Sequence, residues 1–235
     1  MNMRKIAILD WDGTLRRGFT IADWSKFLYD RGRLRSAVID DLRAEFETYS
    51  RQNLSHDQLA TSAAEKVADG LSGVRAAEVV AATKEFVIND LPSLFPFAID
   101  GCKGLVELGY AVHVVSGAPY NVLSHYAFLK DLPVKLHCLE FEIENSVFTG
   151  GIASNPGISC TKMILMNKIL EVFTEQTFVL AVGNSESDRP LFQQASVSIV
   201  VGKENLLKDR LALHISGQET WDQVIAGLGK LGVHL

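Results

Sequence analysis

Ile6-Ala7-Ile8-Leu9 is apolar at consecutive positions and stops at Asp10-Trp11-Asp12-Gly13-Thr14. A run apolar on both faces is the pattern of a strand buried inside a parallel sheet. The texture then changes. From about Thr20 to Asp90, apolar positions recur at helical spacing and no convincing strand interrupts them. Ser55-His56-Asp57-Gln58 has the form of a capping box that opens one of these helices. Val74 to Ile88 is rich in alanine and valine, again at helical spacing. Leu91-Pro92-Ser93-Leu94-Phe95-Pro96 breaks the pattern twice.

After Pro96 strands and helices alternate. A helix ends near Gly109, and Tyr110 to Ser116 reads as a strand cut off by Gly117-Ala118-Pro119. A helix and a strand around Lys135 to Leu139 follow, then a hairpin from Phe141 to Thr149 turning at Glu144-Asn145-Ser146. The pattern predicts a helix from Ser159 to about Phe173, strands at Phe178–Val182 and Ser198–Val201, and a last helix near the C-terminus. This alternation predicts an α/β fold: a Rossmann-like parallel sheet core with helices on both faces. Such sheets bind ligands beyond the carboxyl ends of their strands. The helical block is too long and too regular for a loop. It is expected to be an inserted α-helical cap spanning 16–96, with a discontinuous core formed by 1–15 and 97–235. Arg16-Arg17-Gly18 and the proline-broken stretch before Phe97 are the expected hinges.

Composition narrows the function. The 235 residues are 47% hydrophobic and 22% charged, enough to bury a core and unlike a disordered chain. The net charge of -5 argues against a nucleic-acid partner. Cys102, Cys138 and Cys160 are odd in number and lie in no CxxC spacing, as expected of reduced thiols in a cytoplasmic protein. The histidines show no ligand spacing for zinc and are expected to be satisfied or solvated polar groups. The first apolar run is too short for a signal peptide or membrane span, so no membrane partner is expected.

Polar groups stand at the ends of the apolar strands or at a helix start: Asp10 and Asp12, Ser116 and Gly117, Lys162, and Asn184 through Asp188. Asp10-Trp11-Asp12-Gly13-Thr14, Ser116-Gly117, Lys162 and Gly183-Asn184-Ser185-Glu186-Ser187-Asp188 resemble, in order, the four motifs of the haloacid dehalogenase superfamily, in its phosphatase branch. The hairpin ending Phe148-Thr149-Gly150 resembles the phosphoserine-phosphatase-like subfamily, and the helical block stands where that family carries its cap. The resemblance implies a magnesium-dependent phosphatase that acts on a small phosphorylated metabolite through an aspartyl-phosphate intermediate. It also implies Asp10 as nucleophile and metal ligand, and Asp12 as general acid–base and, through its carbonyl, a second ligand. Ser116 and Gly117 would bind phosphate, and Lys162 would hold Asp10 and phosphate together. Asn184 and Asp188 would complete the metal site.

Elementary chemistry agrees with those roles. A carboxylate that attacks an anionic phosphate ester meets like-charge repulsion, which a divalent cation relieves. Asp12, two residues beyond Asp10 on an extended chain, can face the same centre. Lys162 lies at the N-terminal end of its helix, towards the sheet's active edge; Lys168 is the competing lysine. The family usually has aspartate where this chain has Asn184. An amide oxygen still suits magnesium but is neutral, so weaker metal binding is expected.

The substrate is less legible. Phosphoserine phosphatases of the subfamily hold the substrate amine with an acidic residue just after the first motif, where this chain reads Arg16-Arg17-Gly18-Phe19. They also use a cap arginine for the carboxylate, and no arginine occurs between Arg51 and Arg75. A phosphate ester other than phosphoserine, with an apolar or additionally anionic part, is expected. Arg16 and Arg17 could meet such an anion, although surface solvation or simple pairing is the plainer reading. Trp11, Trp24, Phe19 and Tyr29 could line a pocket or simply fill the core. Asp12 argues against a dehalogenase. The cap lysines Lys26, Lys66 and Lys84 have no setting that suggests a phosphonatase. A phosphotransferase on the same scaffold, or a regulatory protein that binds a phosphate ligand with weakened catalysis, remains open. So does the choice between monomer and homodimer.

Overall fold

The computed structural model describes residues 4–171, 177–202, 206–207 and 211–235. Strand β1 (Arg4–Leu9) lies at the centre of a seven-stranded sheet. The others are β2 (Tyr110–Pro119), β3 (Lys135–Glu144), β4 (Val147–Ser154), β5 (Thr177–Gly183), β6 (Val197–Val201) and β7 (Ala212–Ile215). Their order is β4-β3-β2-β1-β5-β6-β7, parallel throughout except for the antiparallel β3–β4 pair. The chain runs outward from β1 through β2 and β3, then returns to β5 on the other side. The carboxyl ends of β1, β2 and β5 therefore meet where the winding reverses, the usual place for a ligand in such sheets.

The continuous apolar run of β1 has a direct explanation. Ala7 and Leu9 enter one core, while Ile6 and Ile8 enter a second core on the opposite face. The larger core is completed by α5 (Ala98–Glu107), α6 (Tyr120–Lys130) and α9 (Trp221–Lys230). The smaller is completed by α7 (Ser159–Glu171) and α8 (Arg189–Gln193), through Met166, Ile169, Leu191 and Phe192. Helices thus cover both faces, as predicted.

Between β1 and α5 the chain forms α1 (Thr20–Asp30), α2 (Ser36–Ser50), α3 (His56–Leu71) and α4 (Ala76–Asp90), with no strand among them. The capping box is present: Gln58 N–H donates to Ser55 Oγ at 3.2 Å, and Ser55 N–H donates to Gln58 Oε1 at 2.9 Å. The proline-broken stretch forms a 3₁₀ turn, Leu91–Ser93.

Three details differ from the sequence reading. β2 is not cut off at Ser116 but runs to Pro119, with its register against β3 shifted between Val115 and Pro119. The shift absorbs Gly117, so a strand end and a turn appear as one irregular strand. The predicted strand at Lys135 and the first arm of the hairpin are one strand, β3, turning at Asn145 and Ser146 with φ of 50° and 64°. Strand β7 was not foreseen, because its pattern is short and only partly buried. The predicted last residues of α7, up to Phe173, lie outside the described residues. Among the described residues no helix is long and apolar enough to cross a membrane. Cys102, Cys138 and Cys160 are free thiols.

The two linkers that join the helical insertion to the sheet are paired with each other. Arg17 N–H donates to Ser93 O and Phe95 N–H to Leu15 O, each at 2.9 Å. Arg16, 1% exposed, clasps Asp90 with Nε at 2.6 Å and a terminal nitrogen at 2.7 Å, and also reaches Asp23. Tyr126 and Ser93 hydroxyls donate to the same Asp90 carboxylate. Surface solvation of Arg16 is therefore ruled out: it is a buried, bidentate ion pair. The histidines also depart from expectation. His113 and His137 stack at an interplanar angle of 1°, with Nδ1 and Nε2 3.0 Å apart. Burial, helped by His137 and Lys135, lowers the His113 pKa to about 4, and burial also lowers His137. Among the described residues Nε2 of His113 finds no hydrogen-bond partner, so a proton there would gain nothing.

Two predictions follow from these contacts. Asp90→Ala strands the buried Arg16 charge and should destabilise the chain by about 3–5 kcal/mol, whereas an Arg16→Met, Asp90→Leu double variant should recover most of it. Urea unfolding measures both, and equal losses in the two variants would contradict the clasp. The second concerns pH. Between the ordinary histidine pKa of 6.5 and the folded value of about 4, the unfolded chain binds protons that the folded chain refuses. The pair's contribution is thus complete above pH 6.5 and shrinks as pH falls towards 4. The urea midpoint should drop between pH 7 and pH 5, and His113→Gln should narrow that difference.

Candidate active site

Asp10 follows directly on β1, and its N–H donates to Val182 O of β5 at 2.9 Å, which extends the sheet by one residue. The chain then turns: the N–H groups of Thr14, Leu15 and Arg16 all point to Trp11 O. Gly13 makes this possible. Its φ is +75°, and a Cβ there would lie 2.2 Å from Asn184 Nδ2. Asn184 thus packs directly against the turn that carries both aspartates.

Lys162 sits in the first turn of α7, and Lys162 N–H donates to Ile158 O at 3.0 Å. Its side chain is 2% exposed and bridges two carboxylates, Asp10 Oδ1 at 2.9 Å and Asp188 Oδ1 at 2.6 Å. Lys168 is exposed, at the other end of the helix. Burial disfavours the Lys162 charge, but Asp10 and Asp188 outweigh it and hold the ammonium protonated. Asp188 is fully buried. Burial would raise its pKa, yet Lys162 and the N–H groups of Asn184 and Ser185 hold it below the usual carboxylate range. Asp10 moves the other way: burial, reinforced by the Asp188 charge, raises it against the pull of Lys162.

Asp188 spends both oxygens inside the protein. Oδ1 accepts from Lys162, while Oδ2 accepts from Asn184 N–H, Ser185 N–H and Ser185 Oγ. Its geometry is that of an anchor for the lysine and for the turn after β5, and leaves only a water-bridged role at a metal. Asn184 is placed differently. Thr14 Oγ lies 3.3 Å from both Asn184 Oδ1 and Asp10 Oδ2, so the threonine hydroxyl links the two. Thr14 was not singled out in the sequence; a threonine ending the first motif was its only signal.

Asp12 points to the start of α1. Both its oxygens accept from Thr20 N–H at 3.0 Å, and Thr20 Oγ also bonds Oδ1. Trp11 Nε1 donates to the same Thr20 hydroxyl at 3.1 Å. Burial raises Asp12 to about 6, against the pull of Thr20 and Arg16. Thr20 was missed for a plain reason: helix starts commonly carry threonine, and nothing local reveals that its partner is Asp12.

Asp10, Asp12, Ser116, Gly117 and Lys162 line one cleft beneath the helical insertion. Asn184 and Asp188 are not among the residues that line it. Ser116 Oγ accepts from Ala118 N–H at 3.1 Å, which fixes the serine while leaving its proton free to donate. Gly117 meets Gly157 backbone to backbone, where a Cβ on either would come within 3.0 Å of the other's Cα. Gly157 is a further part of the cleft that the sequence did not reveal. The insertion supplies the opposite wall, including Phe19 and His56. Trp11 and Trp24 belong to the core, and Tyr29 is exposed.

Among the described residues, no group of three or more His, Cys, Asp or Glu is placed to hold a metal ion. The Asp10 carboxylate and the Asn184 amide are the oxygen donors held on either side of the Thr14 hydroxyl, next to the turn that carries Asp12. Such hard neutral and anionic oxygens suit magnesium, with fewer acids than usual.

No curated protein sequence matches the chain. Several solved structures share the fold. A protein of unknown function from Bordetella pertussis Tohama I has a TM-score of 0.71 and 24% identity, over 90% of this chain and 99% of that one. A substrate-bound phosphoserine phosphatase has a TM-score of 0.66 and 17% identity, over 96% and 98%. A phosphoserine phosphatase from T. onnurineus has a TM-score of 0.60 and 21% identity, over 94% of each. The model of the haloacid dehalogenase-like hydrolases matches residues 7–193, from within β1 to the last residue of α8, and so takes in every polar group of the cleft floor. This chain belongs to the haloacid dehalogenase-like hydrolase family.

Proposed function

We propose that this protein is a magnesium-dependent phosphatase that hydrolyses a small phosphomonoester through an aspartyl-phosphate on Asp10. The observation that carries the reading is the Lys162 bridge between Asp10 and Asp188, at the base of a cleft that also presents Asp12, Ser116 and Gly117. The Asp10 and Asp188 carboxylates share one ammonium, so with Asp10 ionised for attack this cluster is net negative before any substrate arrives. A phosphate ester adds further negative charge. Magnesium, held by Asp10, the Asp12 carbonyl and Asn184, would supply the missing positive charge.

The protein's own groups then divide the work. Lys162 holds the Asp10 carboxylate in place for attack and draws the phosphoryl group towards it. The Asp10 oxygen forms a bond to phosphorus as the ester P–O bond breaks. Asp12 gives its proton to the leaving alkoxide. In the second step a water attacks phosphorus, Asp12 takes its proton, and the bond from phosphorus to Asp10 breaks. Ser116 Oγ–H and the main chain at Gly117 steady the phosphoryl oxygens. Helices within 16–96 act as a cap over a core of 1–15 and 97–235, excluding water from the acyl phosphate. Phosphoserine fits this cleft poorly, because Phe19 stands on its wall and, among the described residues that line it from the insertion, none is acidic.

The test is phosphate release from p-nitrophenyl phosphate with and without magnesium. Asp10→Asn should remove the activity, and Asp12→Asn should lower it by about 10²–10⁴-fold. Retained turnover in Asp10→Asn would defeat the covalent mechanism. Product analysis with added alcohols separates hydrolysis from transfer. Asn184→Asp should lower the magnesium concentration needed for half-maximal rate; an unchanged requirement would remove Asn184 from the metal site.

A further inference from the structure

The wall facing the catalytic floor differs from it in chemistry. Its residues from the helical insertion are Phe19, Ile21, Phe46, Leu59, Ala60 and Ala63, with His56 the one polar side chain among them. The charged side chains of the cleft, Asp10, Asp12 and Lys162, all lie on the floor. The wall is also braced. The Phe19 and Phe46 rings are 4.9 Å apart, Tyr49 meets Phe19 edge-on at 6.0 Å, and Tyr49 meets His56 edge-on at 6.3 Å.

Arg16, Arg17 and Lys66 of the insertion are committed elsewhere. Arg16 is held by Asp90 and Asp23. Arg17 donates to Leu94 O at 2.8 Å and lies over the Phe95 ring at 4.6 Å. Lys66 pairs with Glu45 at 3.2 Å. A carboxylate or ammonium on the leaving group would lose its water against phenyl and methyl surface, where among the described residues the His56 imidazole is the one polar side chain. A methylene group would gain by the same burial. The cleft holds about 500 Å³ of empty space, its mouth open to solvent included, which is room for a small phosphate ester.

We infer that the substrate is the phosphomonoester of a short, uncharged, apolar alcohol, whose carbon chain lies against Phe19, Phe46 and Leu59. This settles the choice between an apolar and an additionally anionic ester in favour of the apolar one. It rests on the phosphatase reading of the same cleft, so the experiment separates the two.

The full-length protein with magnesium is assayed for phosphate release from methyl, ethyl, propyl and butyl phosphate. Glycerol 3-phosphate, O-phosphoserine, phosphoethanolamine and 3-phosphoglycerate serve as polar or charged counterparts. kcat/KM should rise about fourfold per added methylene up to butyl, with every counterpart at or below ethyl phosphate. Phe46→Arg should flatten the alkyl series and raise 3-phosphoglycerate relative to butyl phosphate. A charged or hydroxylated ester above butyl phosphate, or no dependence on chain length, overturns the inference while leaving a phosphatase. Failure of p-nitrophenyl phosphate and all esters to release phosphate overturns the phosphatase reading instead. In that event, calorimetry with methylphosphonate and butylphosphonate decides the inference: a graded gain in affinity with chain length upholds it, and equal affinities overturn it.

Discussion

A buried ammonium between two buried carboxylates governs this molecule. Lys162 joins the end of the central strand to the turn after β5, because Asp10 belongs to the first and Asp188 to the second. Asp188 passes the constraint on: its second oxygen gathers the N–H groups of Asn184 and Ser185 and so shapes the turn that brings Asn184 against Gly13. Such a cluster is a poor way to gain stability, since desolvating three charges costs much of what their attraction returns. Its value lies in position. The charges can approach one another only if α7, β1 and β5 sit where the two hydrophobic cores put them. Two carboxylates against one ammonium leave the cluster with surplus negative charge when both are ionised.

A second set of contacts ties the helical insertion to that floor. Thr20 begins α1 and also holds both oxygens of Asp12, while Trp11 donates to the Thr20 hydroxyl and packs against Tyr126 at 5.1 Å. Tyr126 in turn donates to Asp90, the partner of Arg16. The aim of Asp12 and the seating of the insertion are therefore set by one continuous network. Further from the hinges, Asp57 accepts from Ser159 at 3.0 Å and Asn155 donates to Ala60 O at 3.3 Å, which joins the insertion to the loop before α7. A movement of α1 would therefore turn the Asp12 carboxylate.

The division of the cleft into a charged floor and an apolar wall follows from where its two halves come from. Strand ends carry polar side chains because the strands' own apolar positions are consumed by the two cores. The insertion's helices must bury an apolar stripe, and part of that stripe at Phe19, Phe46 and Leu59 faces the cleft instead of another helix. The charged groups of the cleft thus come from the sheet's side and its apolar surface from the helical insertion.

Much of this was legible in the sequence. The apolar run of β1, the capping box at Ser55, the hairpin turn at Asn145-Ser146 and the helical character of Thr20 to Asp90 are local signals, written within a few residues. The family motifs were legible for the same reason, since each is a short segment with its own turn chemistry. What the sequence could not decide were pairings across long separations. Lys162 lies 152 residues from Asp10, and Asp90 lies 74 from Arg16. Nothing local marks Arg16 as buried, Thr20 as the partner of Asp12, Asp188 as the anchor of a lysine, or His113 and His137 as a stack. Those identities arise only when packing removes water from both partners and leaves each as the other's best source of charge or hydrogen bond.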